Sequence, residues 1–112
     1  MNSPEEDTEE RPIIATQMEL PEPSESTIKA SKNLPREEAE YKLKRIGNKI
    51  LYEIDLPGIK SLDHVLISKL EDSTEIRAFT KKKVLHRTLQ VNLPLISYYL
   101  RQHTLVLEFE GR

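Results

Sequence analysis

The chain has 112 residues, 17 Lys plus Arg against 19 Asp plus Glu, and no cysteine. That length has room for one domain, the lack of cysteine excludes disulfides and thiolate metal sites and fits a reducing compartment, and a net charge of −2 gives no general pull toward nucleic acid or membrane. No apolar run approaches the roughly 18 residues a membrane helix needs, and the N-terminus is acidic where a secretory signal would be basic and then apolar, so a soluble intracellular protein is expected.

Residues 1–36 hold five of the seven prolines and no aromatic residue or glycine, and their acidic residues (Glu5, Glu6, Asp7, Glu9, Glu10, Glu19, Glu22, Glu25) outnumber Arg11, Lys29, Lys32 and Arg36. Such a stretch buries too little apolar area to offset the ~1–2 kcal/mol per residue that ordering a backbone costs, so it is expected to be a disordered acidic tail or linker. Its Pro, Glu, Ser and Thr cluster between Arg11 and Lys29 resembles segments associated with rapid turnover, with a small apolar island at Ile13-Ile14. Ser3 and Ser24 have acidic neighbours and are candidates for phosphorylation. Residues 37–112 hold every Tyr, Phe and Gly and should form the domain.

In that domain the apolar period is two. Tyr41 and Leu43 alternate with Lys42 and Lys44 in a half-buried strand pattern, Gly47-Asn48 marks a turn, and Ile50, Tyr52, Ile54 and Leu56 share one face of the next strand. These two runs read as a hairpin. Residues 64–70 are apolar on both faces; Leu62, Leu66 and Leu70 also fit helical spacing, but β-branched Val65 and Ile67 and the lack of a glycine stop favour a strand. Glu71-Asp72-Ser73 has turn chemistry. Ile76 and Ala78 alternate with Arg77 and Phe79, Lys81-Lys82-Lys83 form a charged connection, and Leu89, Val91 and Leu93 face away from Thr88, Gln90 and Asn92. Residues 95–103 fit a short helix or a seventh strand equally well. Leu105, Leu107 and Phe109 point inward in the last strand, with Glu108 and Glu110 outward. Six or seven short strands joined by turn signals predict an all-β antiparallel sandwich with no helix required.

Between two of those strands, Pro57 cannot continue a ladder and Gly58 can take positive φ, which are the central positions of a type II turn. Ser61 and Asp63 can bond their own downstream backbone and close the corner before Val65. Every polar group in this stretch has a local structural task, so none of them is read as catalytic.

The order of "YEIDLPGIKSLDHVLI", "LQVNLPL" and "TLVLEFE" resembles a CS domain, the seven-stranded sandwich related to the α-crystallin core, over about residues 38–110. The stretch 37–112 is most similar to the C-terminal CS domain of PIH-family proteins, which interact with the ninety-kilodalton heat-shock chaperone. Between Pro94 and Thr104 the chain is shorter than typical CS sequences. The resemblance implies a non-catalytic adaptor that binds the extended C-terminal tail of a tetratricopeptide-repeat cochaperone. Through it, the chaperone would be linked to RuvB-like ATPases in box C/D small nucleolar ribonucleoprotein assembly and rRNA processing, in cytoplasm and nucleus. The family's N-terminal phosphopeptide-reading domain has no counterpart here, so the chain would correspond to a fragment.

Residue chemistry agrees that no cofactor or metal is called for. His64, His86 and His103 lack the spacing of a metal motif, and no nucleophile elbow or phosphate-binding glycine loop occurs. The candidate partner-binding residues are the cations Lys81, Lys82, Lys83, Arg87 and Arg101, suited to an acidic peptide, and Tyr98 and Tyr99. Adjacent tyrosines of a strand face opposite sides, so one of them can anchor an incoming strand beside an open edge. Two alternatives remain: a small heat-shock-like holdase, although Ile13-Ile14 lacks the Ile-x-Ile spacing and few residues follow Glu110, and an RNA-binding module on Lys81–Lys83, which the scarcity of interleaved aromatics argues against.

Overall fold

The computed structural model describes residues 13–14 and 20–111. Seven strands make the sandwich: β3 (Tyr41–Ile46), β4 (Lys49–Asp55), β5 (Val65–Lys69), β6 (Thr74–Phe79), β7 (Val84–Leu89), β8 (Leu95–Arg101) and β9 (Thr104–Glu110). Two short N-terminal strands, β1 (Ile13–Ile14) and β2 (Arg36–Glu38), add to its edges. One sheet has the order β1-β8-β9-β4-β3 and the other β2-β7-β6-β5. All pairings are antiparallel except β2 with β7, which is parallel.

The core lies between the sheets and follows the alternation. Leu105, Leu107 and Phe109 of the central strand β9 are wholly buried and sit opposite Ile54, Tyr52 and Ile50 of β4. Val65, Ile67, Ile76, Ala78, Leu85 and Leu89 close the core from the second sheet. Each large side chain so buried contributes about 1.5–3 kcal/mol, which is what holds a domain this small together.

The turns follow the expected chemistry. Gly47-Asn48 is a two-residue loop between Ile46 and Lys49, with Gly47 at φ +60°. At the corner, Gly58 takes φ +88° and the Ile59 N–H donates to Leu56 O at 3.1 Å, the bond of a type II turn. The Ser61 hydroxyl then accepts from the Asp63 N–H at 3.1 Å and caps a single 3-10 turn, Leu62–His64, that leads into β5. Asp63 enters this motif through its backbone N–H.

One open alternative is resolved, and the bounds of one expected strand are corrected. Residues 95–101 form a strand, β8, with a register shift between Leu95 and Ser97. The extra residue, Ile96, flips the alternation so that Leu95, Tyr98 and Leu100 all reach the core. Strand β7 starts at Val84, directly after Lys83, and ends at Leu89; Val91 is still buried, but in the connection beyond it.

Part of the stretch expected to be an unstructured linker has regular structure. Ser24 caps a six-residue helix, α1 (Glu25–Ala30), by accepting from the Thr27 N–H. Pro21 O accepts from the Ile67 N–H of β5 at 3.2 Å, and Leu20 packs against the core. β2 binds β7, and Val84 N–H donates to Pro35 O. These segments gain their order from sheet edges and core surface supplied by the domain, which their own composition cannot provide. The rest of the acidic stretch, including Ser3 and the Glu5–Glu10 cluster, lies outside the described residues. Among the described residues no helix is long and apolar enough to cross a membrane.

Candidate functional site

The N-terminal segments bond to β8, β7 and β5, leaving β3 as the edge strand that pairs only with β4 among the described residues. All six β3 residues are exposed, and two of them are large apolar side chains on the core-facing side: Tyr41 at 45% and Leu43 at 57%. The half-buried pattern expected here is therefore corrected. The alternation is real, but sheet β1-β8-β9-β4-β3 extends beyond the sheet that covers its inner face.

A row of rings leads out of the core to this edge. Phe109, wholly buried, meets Tyr52 edge-on with centroids 5.6 Å apart, and Tyr52 lies 5.8 Å from Tyr41. Leu43 is the direct cross-strand partner of Tyr52. Desolvation, followed by the proximity of Tyr41, raises the Tyr52 phenol above its ordinary pKa. Arg87 fixes the outer end: its guanidinium lies 4.9 Å from the Tyr41 ring, its Nε donates to Ala39 O at 2.7 Å, and Glu38 stands 3.9 Å away. The edge thus offers unpaired backbone beside preordered apolar rings, the surface that an extended chain adds to in β-augmentation.

The structure separates the other candidate residues. Thr80 organises the Lys81–Lys83 loop: its hydroxyl accepts from the N–H groups of Lys82 and Lys83 and donates to Lys83 O. Lys83 is engaged by Glu37 at 2.7 Å, whereas Lys81 and Lys82 pair with no carboxylate among the described residues. Arg87 belongs to the Tyr41 corner and not to this loop. Tyr98 is 2% exposed and part of the core, with its phenol pushed up by burial, so it is not the exposed anchor of the pair. β1 occupies the β8 edge beside it. Tyr99 faces the other side, 6.0 Å from the Arg101 guanidinium.

That outer face carries a charge network. Glu53 takes Lys44 at 3.2 Å and Arg101 at 3.8 Å; Glu108 takes Lys49 at 2.8 Å and the Ser97 hydroxyl at 2.6 Å. The hydrogen bonds from Lys49 and Ser97 hold the Glu108 carboxyl below its ordinary pKa. His64 lies in the 3-10 turn and His86 in β7, while His103 is in the β8–β9 loop. Among the described residues no cluster of His, Asp and Glu has the makings of a metal site.

Sequence reasoning missed the β3 edge because alternation reports which residues share a face, not whether another sheet covers it. Nothing in the sequence signals that residues 20–38 would wrap the other edges.

No family model and no curated protein sequence matches the chain. Solved structures do. Heat shock protein 16.0 from Schizosaccharomyces pombe aligns with a TM-score of 0.56 at 9% identity, over 72% of this chain and 71% of its own. The Del-C4 mutant of hsp14.1 from Sulfolobus solfatataricus P2 aligns with a TM-score of 0.54 at 11% identity, over 66% of this chain and 76% of its own. At such identities the likeness is one of backbone alone: the chain has the α-crystallin-like β-sandwich fold of small heat shock proteins.

Proposed function

We propose that this domain is a non-catalytic adaptor that captures an extended peptide along β3, by backbone pairing and by seating apolar side chains on Tyr41, Leu43 and Tyr52. The observation that carries this reading is the ring row from Phe109 to Tyr41, which runs out of the core onto a strand with one edge unpaired among the described residues. The resemblance to PIH-family CS domains supplies the partner: the C-terminal tail of a tetratricopeptide-repeat cochaperone, itself connected to the ninety-kilodalton heat-shock chaperone and RuvB-like ATPases. Bound peptide stabilises the domain by mass action.

The test is titration of the full chain with that tail, followed by amide chemical shifts and thermal unfolding. Shifts centred on residues 41–46 and a raised Tm support the reading; no complex, or shifts confined to another edge, sink it. The α-crystallin-like fold also favours a holdase that binds unfolded chains through the same exposed apolar edge. In that case light scattering shows a large oligomer and the chain suppresses aggregation of a heated client.

A further inference from the structure

A second surface lies beside α1. Where α1 and the residues after it cross the Pro57-Gly58 corner and the 80–83 loop, they enclose an open groove of about 1000 Å³. Its floor is apolar: Ile59 and Phe79 are buried beneath it, and Ala30 and Leu34 form the wall on the α1 side. Its rim is cationic. Lys60, Lys81 and Lys82 are exposed along it, and none pairs with a carboxylate among the described residues. His64 adds a further nitrogen donor or acceptor, and no acidic residue lines the groove among the described residues.

Three lysines around one concavity, with no carboxylate partner among the described residues, repel one another and are relieved by an anionic occupant; the buried side chains below offer area only to an apolar group. The Thr80 hydroxyl, by accepting from the Lys82 and Lys83 N–H groups, holds the backbone of the loop that carries Lys81 and Lys82 before any ligand arrives, lowering the ordering cost of binding. Base stacking is poorly served here: Phe79 is only 5% exposed, and the His64 imidazole is the one exposed ring among the described lining residues. A flat anionic surface does not reach into a concavity.

We infer that this groove is a docking site for an acidic peptide in extended form, with carboxylates against Lys60, Lys81 and Lys82 and an apolar side chain between them over Ile59 and Phe79. It is a site separate from the β3 edge, and it stands whether or not that edge captures a peptide.

The experiment uses the full chain and a fluorescein-labelled, end-capped peptide in which a single leucine is flanked by aspartates and glutamates. Anisotropy is read at physiological salt. The site predicts saturable binding, weakened about tenfold or more by Lys60→Glu with Lys81→Glu and Lys82→Glu, and weakened when serine replaces the peptide's leucine. The three lysines are exposed, so an unchanged thermal melt verifies that the variant is folded. Equal binding by the charge-reversed protein overturns the inference. So does tighter binding of a single-stranded oligonucleotide of matched charge, or loss of the probe in Leu43→Asp but not in the lysine variant, which would assign the peptide to β3.

Discussion

Thr74 opens β6 and is wholly buried, and its hydroxyl has no hydrogen-bond partner among the described residues. A buried hydroxyl without a partner forfeits its bonds to water, a cost of about 1–3 kcal/mol in proteins. Thr74→Val removes that cost while keeping the β-branch, the side-chain volume and the strand preference, so no cavity opens and the ladders to Lys69 and Leu89 are untouched. The expected gain is about 1 kcal/mol, which at this domain size raises Tm by roughly 4–8 °C. Thr74→Ser does the reverse: it keeps the orphan hydroxyl and deletes a methyl, and should lose about 1 kcal/mol. Urea unfolding at constant m reads both. A Thr74→Val protein no more stable than the parent would show that the hydroxyl is satisfied and refute the reasoning.

Other perturbations follow from single sites. Gly58→Ala should cost about 1–2 kcal/mol, from the positive φ alone, because an added Cβ would meet nothing nearer than Thr80 Cγ2 at 3.8 Å; a urea midpoint unchanged from the parent would mean the turn can re-form. The Glu108 carboxyl is lowered from its ordinary value near 4.5, so its stabilising contribution is present above the unfolded value and is lost as pH falls through the native one. Glu108→Gln should therefore flatten the acid limb of stability against pH, and an unchanged limb would place the titration elsewhere. Leu43→Asp should leave thermal stability within about 0.5 kcal/mol, since the side chain is exposed, while abolishing tail-peptide binding at β3; a large loss of stability would show Leu43 to be structural.

What the residues determined by themselves was local and periodic. The hairpin around Gly47-Asn48, the Pro57-Gly58 corner with its Ser61 cap, and the inward set Leu105, Leu107 and Phe109 are all as the alternation and turn chemistry require, because each depends on backbone preferences within a few residues or on one strand's own two faces. Residues 95–101 resisted such reading for a physical reason: the register shift beside Ile96 breaks the period of two, so Leu95, Tyr98 and Leu100 share the core at a spacing neither helix nor strand would give. The fate of the edges belonged to tertiary structure alone. Which strand is covered depends on where distant chain comes to rest, and here Pro21, Arg36–Glu38 and Ile13–Ile14 bond to β5, β7 and β8, while Tyr41 and Leu43 stay open to solvent. The placement of α1 across from the 80–83 loop likewise turned a run of lysines, unremarkable as a charged connection, into the rim of a groove.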